Sequence, residues 1–384
     1  MADHCSPTFD QLAHSMGFSC RTAGGLVEFR NPFGLENWTL PVLEATIILG
    51  AVLTLIYAIV RLRRHGDPTN LVLWVGALFF LFIIEPAIYF PATFHTEEYL
   101  GTMFAHNVFS VDFLWGRLPL YIIAIYPFMA TIAYELVRML GVFRRHGTFV
   151  GAMCVGFVHH AFYEIFDQIG PQLRWWEWDT GNKVNQPMFN AVPLPSVVVF
   201  AALWPMSLTL CVRWFVGRQV DAGRRFGAWQ LVWRTVVVGL AAAVGTFVLP
   251  LPATVFGAWS DTVRGVLYAA ELVVIAVVAI PVLARGWSAQ RTEGRAVRSN
   301  ALVRWYALAY LVVFGVLWAS ALPDYLDAVH GRTASGTPIG SVWYTLACFV
   351  VGGLVVAGAF TVPRTETDSA AESPADRQAA TEPV

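Results

Sequence analysis

Nine stretches of this chain are long and apolar enough to cross a lipid bilayer, and this feature constrains the fold more than any other. A helix rises about 1.5 Å per residue, so about 20 apolar residues span the hydrocarbon core. Because backbone polar groups in lipid must be satisfied internally, a long apolar segment crosses as a helix. The sequence therefore predicts an all-α, polytopic integral membrane bundle. The predicted spans are 40–60, 71–90, 118–140, 149–169, 192–216, 228–249, 263–283, 301–322 and 341–362.

Composition excludes a soluble globular protein and gives no support to a nucleic-acid-binding protein. Hydrophobic residues make up 57% of the chain and charged residues 13%, whereas soluble domains carry about 25% charged residues. The net charge is −1 and Lys183 is the only lysine. Nucleic-acid binding therefore has no support.

Arginine placement predicts the orientation in the cell membrane. Clusters of arginine follow the first, third, fifth and seventh spans, and positively charged loops are retained in the cytoplasm. We therefore expect the N-terminus outside and the C-terminus in the cytoplasm. The expected organisation is an exported cap (1–39), the bundle (40–363) and a disordered cytoplasmic tail (364–384) that is rich in Ala, Glu, Ser, Thr and Pro. In the cap, Cys5 and Cys20 either pair in an oxidising exterior or stay free.

Two pairs of spans share one layout. Glu85 ends a helix at its outer side, an aromatic loop follows, and the next helix opens with Pro119 and carries Tyr126-Pro127. Glu164 occupies the same place in the second unit, whose following helix carries Trp204-Pro205. This pattern predicts a parallel two-helix repeat (about 71–140 and 149–216) around a shared cavity. The alternative is chance, because acids near helix ends and prolines in membrane helices are both common.

The fourth span carries an acidic face. His160, Glu164 and Asp167 occur at i, i+4 and i+7, which places them on one side of a helix. Ionisable groups inside a bilayer are candidates for a functional site, and a desolvated carboxyl group can be held protonated and used as an acid. The alternative is a cluster of interhelical hydrogen bonds that only fixes the bundle.

Aromatic residues adjoin this acidic face. Tyr163 precedes Glu164, and Trp175, Trp176 and Trp178 follow in the next loop. Aromatic faces stabilise cations, so we expect these four side chains to contact the substrate. We expect the same of His106 and Asp112, because both lie in the first outer loop. The competing explanation for the tryptophans is an interfacial aromatic belt.

The segments YEIFDQIGPQLRWWEWDTG and VPLPSVVVFAALWPM resemble those of the membrane-bound carotenoid hydratases and the related lycopene-cyclase-like membrane proteins. The shared pattern is an acidic helix end, a loop with spaced tryptophans and a Val-Pro-opened helix with a Trp. The resemblance covers residues 85–213 and implies an isoprenoid or terpenoid substrate. The chain departs from the family pattern in its extra helices at both ends and in its first outer loop.

Together these features predict a membrane enzyme that protonates a double bond of an apolar isoprenoid-like lipid, followed by hydration or cyclisation. Glu164 is the expected acid, Asp167 its partner, Glu85 the counterpart from the other unit and His160 a proton relay. The rival functions are a transporter or assembly subunit with structural acids, and a metal or haem protein that uses His159, His160 or His106. No cofactor is expected, because no metal motif such as HExxH or CxxC is present. The expected partners are the bilayer and the lipid substrate.

Overall fold

The computed structural model describes residues 5–21, 25–293 and 300–362. The predicted tail, 364–384, lies outside the described residues. Within the described ranges the chain is mainly helical. The α-helices are α1 (Pro7–Ser15), α2 (Thr39–His65), α3 (Thr69–Tyr89), α4 (Glu97–Leu100), α5 (Leu120–Met139), α6 (Val142–Asp167), α7 (Trp204–Val212), α8 (Arg218–Asp221), α9 (Ala228–Val248), α10 (Leu251–Phe256), α11 (Asp261–Glu293), α12 (Ala301–Leu326) and α13 (Val342–Phe360).

Nine helices in these described ranges are long and apolar enough to cross a membrane, as the sequence predicts. The fifth is a composite that runs without a break from Ser196 to Asp221. It contains α7 and α8 and two π-helical segments, Ser196–Leu203 and Arg213–Gly217. The protein is therefore a multi-pass membrane protein.

The centre of the bundle consists of α5, α6 and the composite helix, whose residues are mostly buried. The other six spans surround them and bury fewer than half of their residues. Their exposed side chains face lipid in a membrane. Polar side chains on the three central helices therefore face protein, and these helices carry most of the candidate site.

The spans alternate in direction, so the bundle has two distinct ends. We call one the loop end: it holds the long connections 90–119, 168–195 and 327–341 together with residues 5–21 and 25–38. The other, the arginine end, holds the short connections after α2, α5 and α8. Basic residues close the last turn of α2 and that of α5.

Short strands order the loop end. They form three antiparallel sheets with the orders β1-β3-β4, β2-β5 and β6-β7. The strands are β1 (Val27–Phe29), β2 (Phe104–His106), β3 (Val111–Phe113), β4 (Leu118–Pro119), β5 (Trp176–Trp178), β6 (Met188–Phe189) and β7 (Val192–Pro193). The β2–β5 pair joins the first long loop to the second, so it also fixes the distance between the two predicted units.

The two predicted units share part of their order of elements. The first runs α3, α4, β2, β3, β4, α5, and the second runs α6, β5, β6, β7 and the composite helix, so α4 has no counterpart in the second unit. In each unit a short hairpin ends on a proline, Pro119 or Pro193, and leads into the next helix.

The N-terminal segment folds onto the loop end. Helix α1 begins after Ser6, whose side chain accepts a hydrogen bond from the Phe9 N–H. Cys5 and Cys20 form a disulfide with a Cα–Cα distance of 5.6 Å. Phe9 packs in the same small hydrophobic cluster as Ala105 of β2, so the segment lies directly over the β2–β5 sheet.

Candidate functional site

A small cavity lies inside the loop end, enclosed by α3, α5, α6, the first π-helical segment and the β2–β5 sheet. We call it the carboxylate cavity. Its volume is about 50 Å³, which accommodates a few water molecules or the end of a larger ligand. Its lining residues are Glu85, Ile88, Phe104, His106, Ile122, Ile125, Tyr126, Tyr163, Phe166, Asp167, Trp176, Trp178, Ser196 and Phe200.

Two carboxyl groups reach this cavity from different helices. Glu85 on α3 is 4% exposed and Asp167 at the end of α6 is 1% exposed. The Tyr126 hydroxyl donates to Glu85 Oε1, and the Ser196 hydroxyl donates to Asp167 Oδ2 at 2.8 Å. In the described part of the chain, Glu85 Oε2 and Asp167 Oδ1 are buried and accept no hydrogen bond. Because nearly all buried polar atoms in folded proteins are paired, these two oxygens indicate a place for a ligand or water.

Aromatic rings form the wall at the loop end. Trp176 and Trp178 lie on β5, opposite His106 and Phe104 of β2. The ring centroids of Phe104 and Trp178 are 5.1 Å apart, and those of Phe166 and Trp176 are 4.8 Å apart. The indole N–H groups of both tryptophans are buried without a partner among the described residues. The lining residues thus include two unpaired donors as well as two unpaired acceptors.

His106 of the cavity lining is held between two buried tyrosines that lie outside the lining. Its Nε2 lies 3.3 Å from the Tyr89 hydroxyl and its Nδ1 lies 3.3 Å from the Tyr121 hydroxyl. Burial lowers the pKa of His106 to about 3, because a charged imidazolium loses its hydration in an apolar site. The ring is therefore neutral at physiological pH and contributes shape and hydrogen bonding without charge.

Stacked aromatic rings separate the carboxylate cavity from the arginine end. Trp204 stacks on Phe80 with a centroid distance of 5.0 Å and lies 5.2 Å from Tyr126. All three side chains are buried, and Phe80 and Trp204 lie farther from the loop end than the carboxyl groups do. The stack therefore packs α3 against the composite helix on the side of the carboxyl groups that faces the arginine end.

Glu164 and His160 lie outside the cavity lining. His160 contacts the Val197 carbonyl oxygen through Nδ1 at 3.0 Å and the Tyr344 hydroxyl through Nε2 at 2.6 Å. The Gln168 amide donates to Glu164 Oε2 at 2.9 Å. The predicted acidic face does pack against protein, but its three members divide between two places: Asp167 at the cavity, and Glu164 with His160 toward α13.

Asp112 and Trp175 also lie outside the lining, where they hold the loops together. Asp112 on β3 pairs with Arg30 and accepts from the Phe109 N–H at 2.9 Å. Burial raises the pKa of Asp112 to about 7, although the Phe109 N–H and the Arg30 guanidinium favour its charged form. The Trp175 indole donates to the Thr39 hydroxyl at 2.9 Å. Asp112 thus joins two parts of the loop end, and Trp175 anchors the loop end to the first residue of α2.

The sequence reasoning placed six residues that line the cavity among its candidates: Glu85, His106, Tyr163, Asp167, Trp176 and Trp178. It missed Ser196, Phe104, Phe166 and Phe200. Ser196 carries no motif of its own and becomes relevant only because the composite helix begins there, beside the end of α6. Tyr126 belongs to the aromatic-proline motif that follows Glu85 in the first unit, so the sequence did contain a signal for the contact between Tyr126 and Glu85.

The histidines suggested for metal or haem have protein partners on their ring nitrogens. His159 Nδ1 contacts the Ala201 carbonyl oxygen at 2.7 Å, and both nitrogens of His160 and of His106 have partners as described above. Among the described residues, Cys5, Asp10 and Cys20 are the one group of three side chains with metal-ligand geometry, and its two cysteines form the disulfide. The arrangement of these residues therefore gives no specific support to a metal or haem function.

Comparison with known proteins identifies a family for this chain. No curated protein and no solved structure matches this chain. The family model described as Domain of unknown function (DUF7802) matches residues 31–319, a range that includes both predicted units and every residue of the cavity lining. The match covers most of the chain, which therefore belongs to the DUF7802 family.

Proposed function

We propose that this protein is a membrane enzyme that protonates a carbon–carbon double bond of an apolar isoprenoid-like lipid. One observation carries the proposal: two buried carboxyl groups, Glu85 and Asp167, each direct an unpaired oxygen into surroundings that are otherwise mostly aromatic and aliphatic. A carboxyl group that is buried beside neutral donors favours its uncharged form, which has a proton to give. The resemblance to carotenoid-modifying membrane proteins supports the same substrate class.

In the proposed reaction, Asp167 transfers its carboxylic proton to one alkene carbon, and the neighbouring carbon becomes a tertiary cation. The π electrons of the double bond form the new C–H bond, and Asp167 becomes a carboxylate. The faces of Phe166 and Trp176 stabilise the cation through their quadrupoles. Water held beside Glu85 then adds to the cation and loses a proton to the Asp167 carboxylate, which gives an alcohol and restores the acid.

Hydration has more support than cyclisation. The lining residues carry two unpaired acceptors and two unpaired donors, and a water molecule satisfies groups of both kinds. The cavity volume suits water and one end of a chain. A folded linear isoprenoid that closes a ring would need more room.

The supporting residues have distinct roles in this scheme. Tyr126 and Ser196 orient the two carboxyl groups through their hydroxyls. Glu164 lies one turn before Gln168 and supports the end of α6 beside Asp167, and we assign it as the partner of Asp167. His160 links the Val197 carbonyl to Tyr344 and positions α13. The role of first acid thus passes from Glu164 to Asp167.

We also propose that the site lies between two copies of a duplicated unit and faces the exterior of the cell membrane. Each unit supplies one carboxyl group, and the hairpin that ends on a proline before the second helix of each unit supports the duplication. The arginine end would face the cytoplasm according to the positive-inside rule. The disulfide at the loop end fits an oxidising exterior. A transporter is less well supported, because the Phe80–Trp204 stack separates the cavity from the arginine end.

A deuterium experiment tests the proposal directly. The purified protein is incubated in D₂O with linear isoprenoids, including lycopene and geranylgeraniol, and the products are analysed by mass spectrometry. Protonation by an enzyme carboxyl group puts one non-exchangeable deuterium on carbon in each product. We expect Asp167→Asn to lower turnover about 10²–10⁴-fold, the usual contribution of a general acid, and Glu85→Gln to impair the hydration step. Glu271→Gln, which changes a carboxyl group outside the cavity lining, is the matched control.

Melting temperatures measured on the same samples separate a chemical role from a structural one. A structural role predicts lost stability in Asp167→Asn with a proportional loss of activity. Full turnover by a stable Asp167→Asn would refute its assignment as the acid. Turnover with no deuterium on carbon would refute protonation as the first step.

A further inference from the structure

A second cavity lies at the arginine end, on the far side of the Phe80–Trp204 stack. We call it the arginine cavity. Its volume is about 190 Å³, and four arginines and two aspartates line it. These charged residues are Arg61, Arg138, Arg144, Arg213, Asp67 and Asp221. The lining therefore carries an excess of positive charge, although the protein as a whole is nearly neutral.

Arg213 is the unusual member of this group. Its side chain is 8% exposed, and an arginine stays charged in any protein environment. The guanidinium lies over the Phe143 ring, 4.8 Å from the centroid. Its Nε is buried and has no hydrogen-bond partner among the described residues. A buried cation with an unused donor lines this cavity.

The backbone around Arg213 is adapted to this position. Arg213 begins the second π-helical segment, and π-helical turns inside helices are frequent at functional sites. The side chain lies back against Gly217, where a Cβ atom would come 2.9 Å from Nη1. A larger residue at position 217 would therefore displace the guanidinium.

The acids of the arginine cavity differ in how firmly they hold their partners. Arg61 pairs with Asp67 at 2.7 Å, and both side chains are largely buried. Asp221 accepts from Arg213 Nη2 at 2.5 Å, but its side chain is 62% exposed. The exposed carboxylate can turn into solvent, and an incoming anion can then take its place on Arg213.

Two further arginines complete the wall. Arg138 is fixed by two hydrogen bonds to Glu135, of 2.8 and 2.7 Å. Arg144 is exposed at the rim, and the described residues offer it no hydrogen bond or ion pair. A ligand that reaches Arg213 from solvent or from the membrane surface passes Arg144.

We propose that the arginine cavity binds a phosphate group, which displaces Asp221 from Arg213 and bridges Arg213 to Arg144. The planar guanidinium fork matches the oxygens of a phosphate in geometry and charge. Basic pockets between membrane helices are typical sites for the phosphates of lipid head groups. A soluble phosphate ester offers the same chemistry, and the test separates the two sources.

The binding test uses the full chain in two settings. In detergent, inorganic phosphate is titrated and the thermal shift is recorded. In nanodiscs, the melting temperature is compared between phosphatidylcholine alone and phosphatidylcholine with phosphatidic acid. Stabilisation by inorganic phosphate identifies a soluble ligand, whereas stabilisation only by phosphatidic acid identifies a lipid. No stabilisation in either setting overturns the proposal.

Three variants assign the effect to this cavity. Arg213→Gln and Arg144→Gln should each weaken binding about tenfold, the value of one charge-assisted hydrogen bond. Asp221→Asn should strengthen binding, because it removes the competing carboxylate. Arg225→Gln, an exposed arginine outside the lining, should leave the affinity unchanged.

The arginine variants should weaken phosphate binding and Asp221→Asn should strengthen it, so the test stays decisive if one variant fails to fold. A purely structural Arg213–Asp221 pair predicts that both partners lose stability and that neither changes the affinity. If Arg213→Gln does not fold, Arg144→Gln and Asp221→Asn still decide. Equal affinity in Arg144→Gln, Asp221→Asn and the unaltered protein overturns the proposal.

Discussion

The buried histidine of the carboxylate cavity makes the stability of this protein depend on pH in a predictable direction. His106 is 6% exposed, and burial lowers its pKa from 6.5 to about 3. Between these two values the unfolded chain binds a proton at this residue and the folded protein does not. The contribution to stability is therefore complete above about pH 6.5 and is lost as the pH falls toward 3.

The magnitude follows from the difference in proton binding. Each pH unit below the unfolded pKa lowers the free energy of unfolding by about 1.4 kcal/mol. A fall from pH 7.5 to pH 5 includes about 1.5 pH units below the unfolded pKa of 6.5. His106 therefore lowers the free energy of unfolding by about 2 kcal/mol over this fall. Asp112 acts in the opposite sense, because a raised pKa of about 7 favours the protonated folded state as the pH falls.

A comparison with a variant isolates the contribution of His106. His106→Gln keeps one donor and one acceptor for Tyr89 and Tyr121 but has no titrating group near neutral pH. Unfolding of both proteins is followed in detergent at pH 7.5 and pH 5, and the difference between the two pH values is compared. We expect the unaltered protein to lose about 2 kcal/mol more than His106→Gln. The exposed His330, changed to Gln, serves as the control, and an equal loss in all three proteins would refute the reasoning.

Two further predictions concern packing and topology. Gly156→Ala places a Cβ 2.7 Å from the Ala202 carbonyl oxygen and should lower the free energy of unfolding by about 1–3 kcal/mol through overpacking. The control is Gly353→Ala, which has nothing within 4 Å of the added Cβ and should leave the melting temperature unchanged. Equal melting temperatures for the two variants would contradict the close approach of α6 to the composite helix. A cysteine introduced at Thr180 should react with an impermeant thiol reagent in intact cells, and one introduced at Ala222 should not. Labelling at Ala222 alone would show that the protein has the opposite orientation in the membrane.

The nine spans could be predicted because length and hydropathy are local properties of the sequence. The helix ends were less predictable. The fourth helix begins at Val142, before the predicted start, and continues through a kink at Gly147 with φ 75°. The fifth begins at Ser196 because Val192 and Pro193 belong to the β6–β7 hairpin. Apolar residues of a two-residue strand look the same in a hydropathy pattern as the first turn of a membrane helix.

The candidate site could be predicted in kind but not in detail. Intramembrane carboxyl groups are rare, so Glu85, Glu164 and Asp167 all stood out, but a helical face of about 60° does not say which member reaches a cavity. That choice depends on where Ser196 and the β2–β5 sheet lie, and both are brought to α6 by contacts between distant parts of the chain. His106 and Trp176 meet across this sheet for the same reason.

The position of the carboxylate cavity restricts how the proposed reaction can obtain its water. The alcohol keeps the proton that Asp167 gave, and the added water returns a proton to Asp167, so each turnover consumes one water molecule and no net proton. The Phe80–Trp204 stack lies between the carboxylate cavity and the arginine end. Water therefore enters from the loop end, past Trp178, which lines both the cavity and the polar surface depression that holds His330 and Arg332. In this arrangement the pH of the compartment at the loop end, and not that at the arginine end, sets the protonation state of the acid.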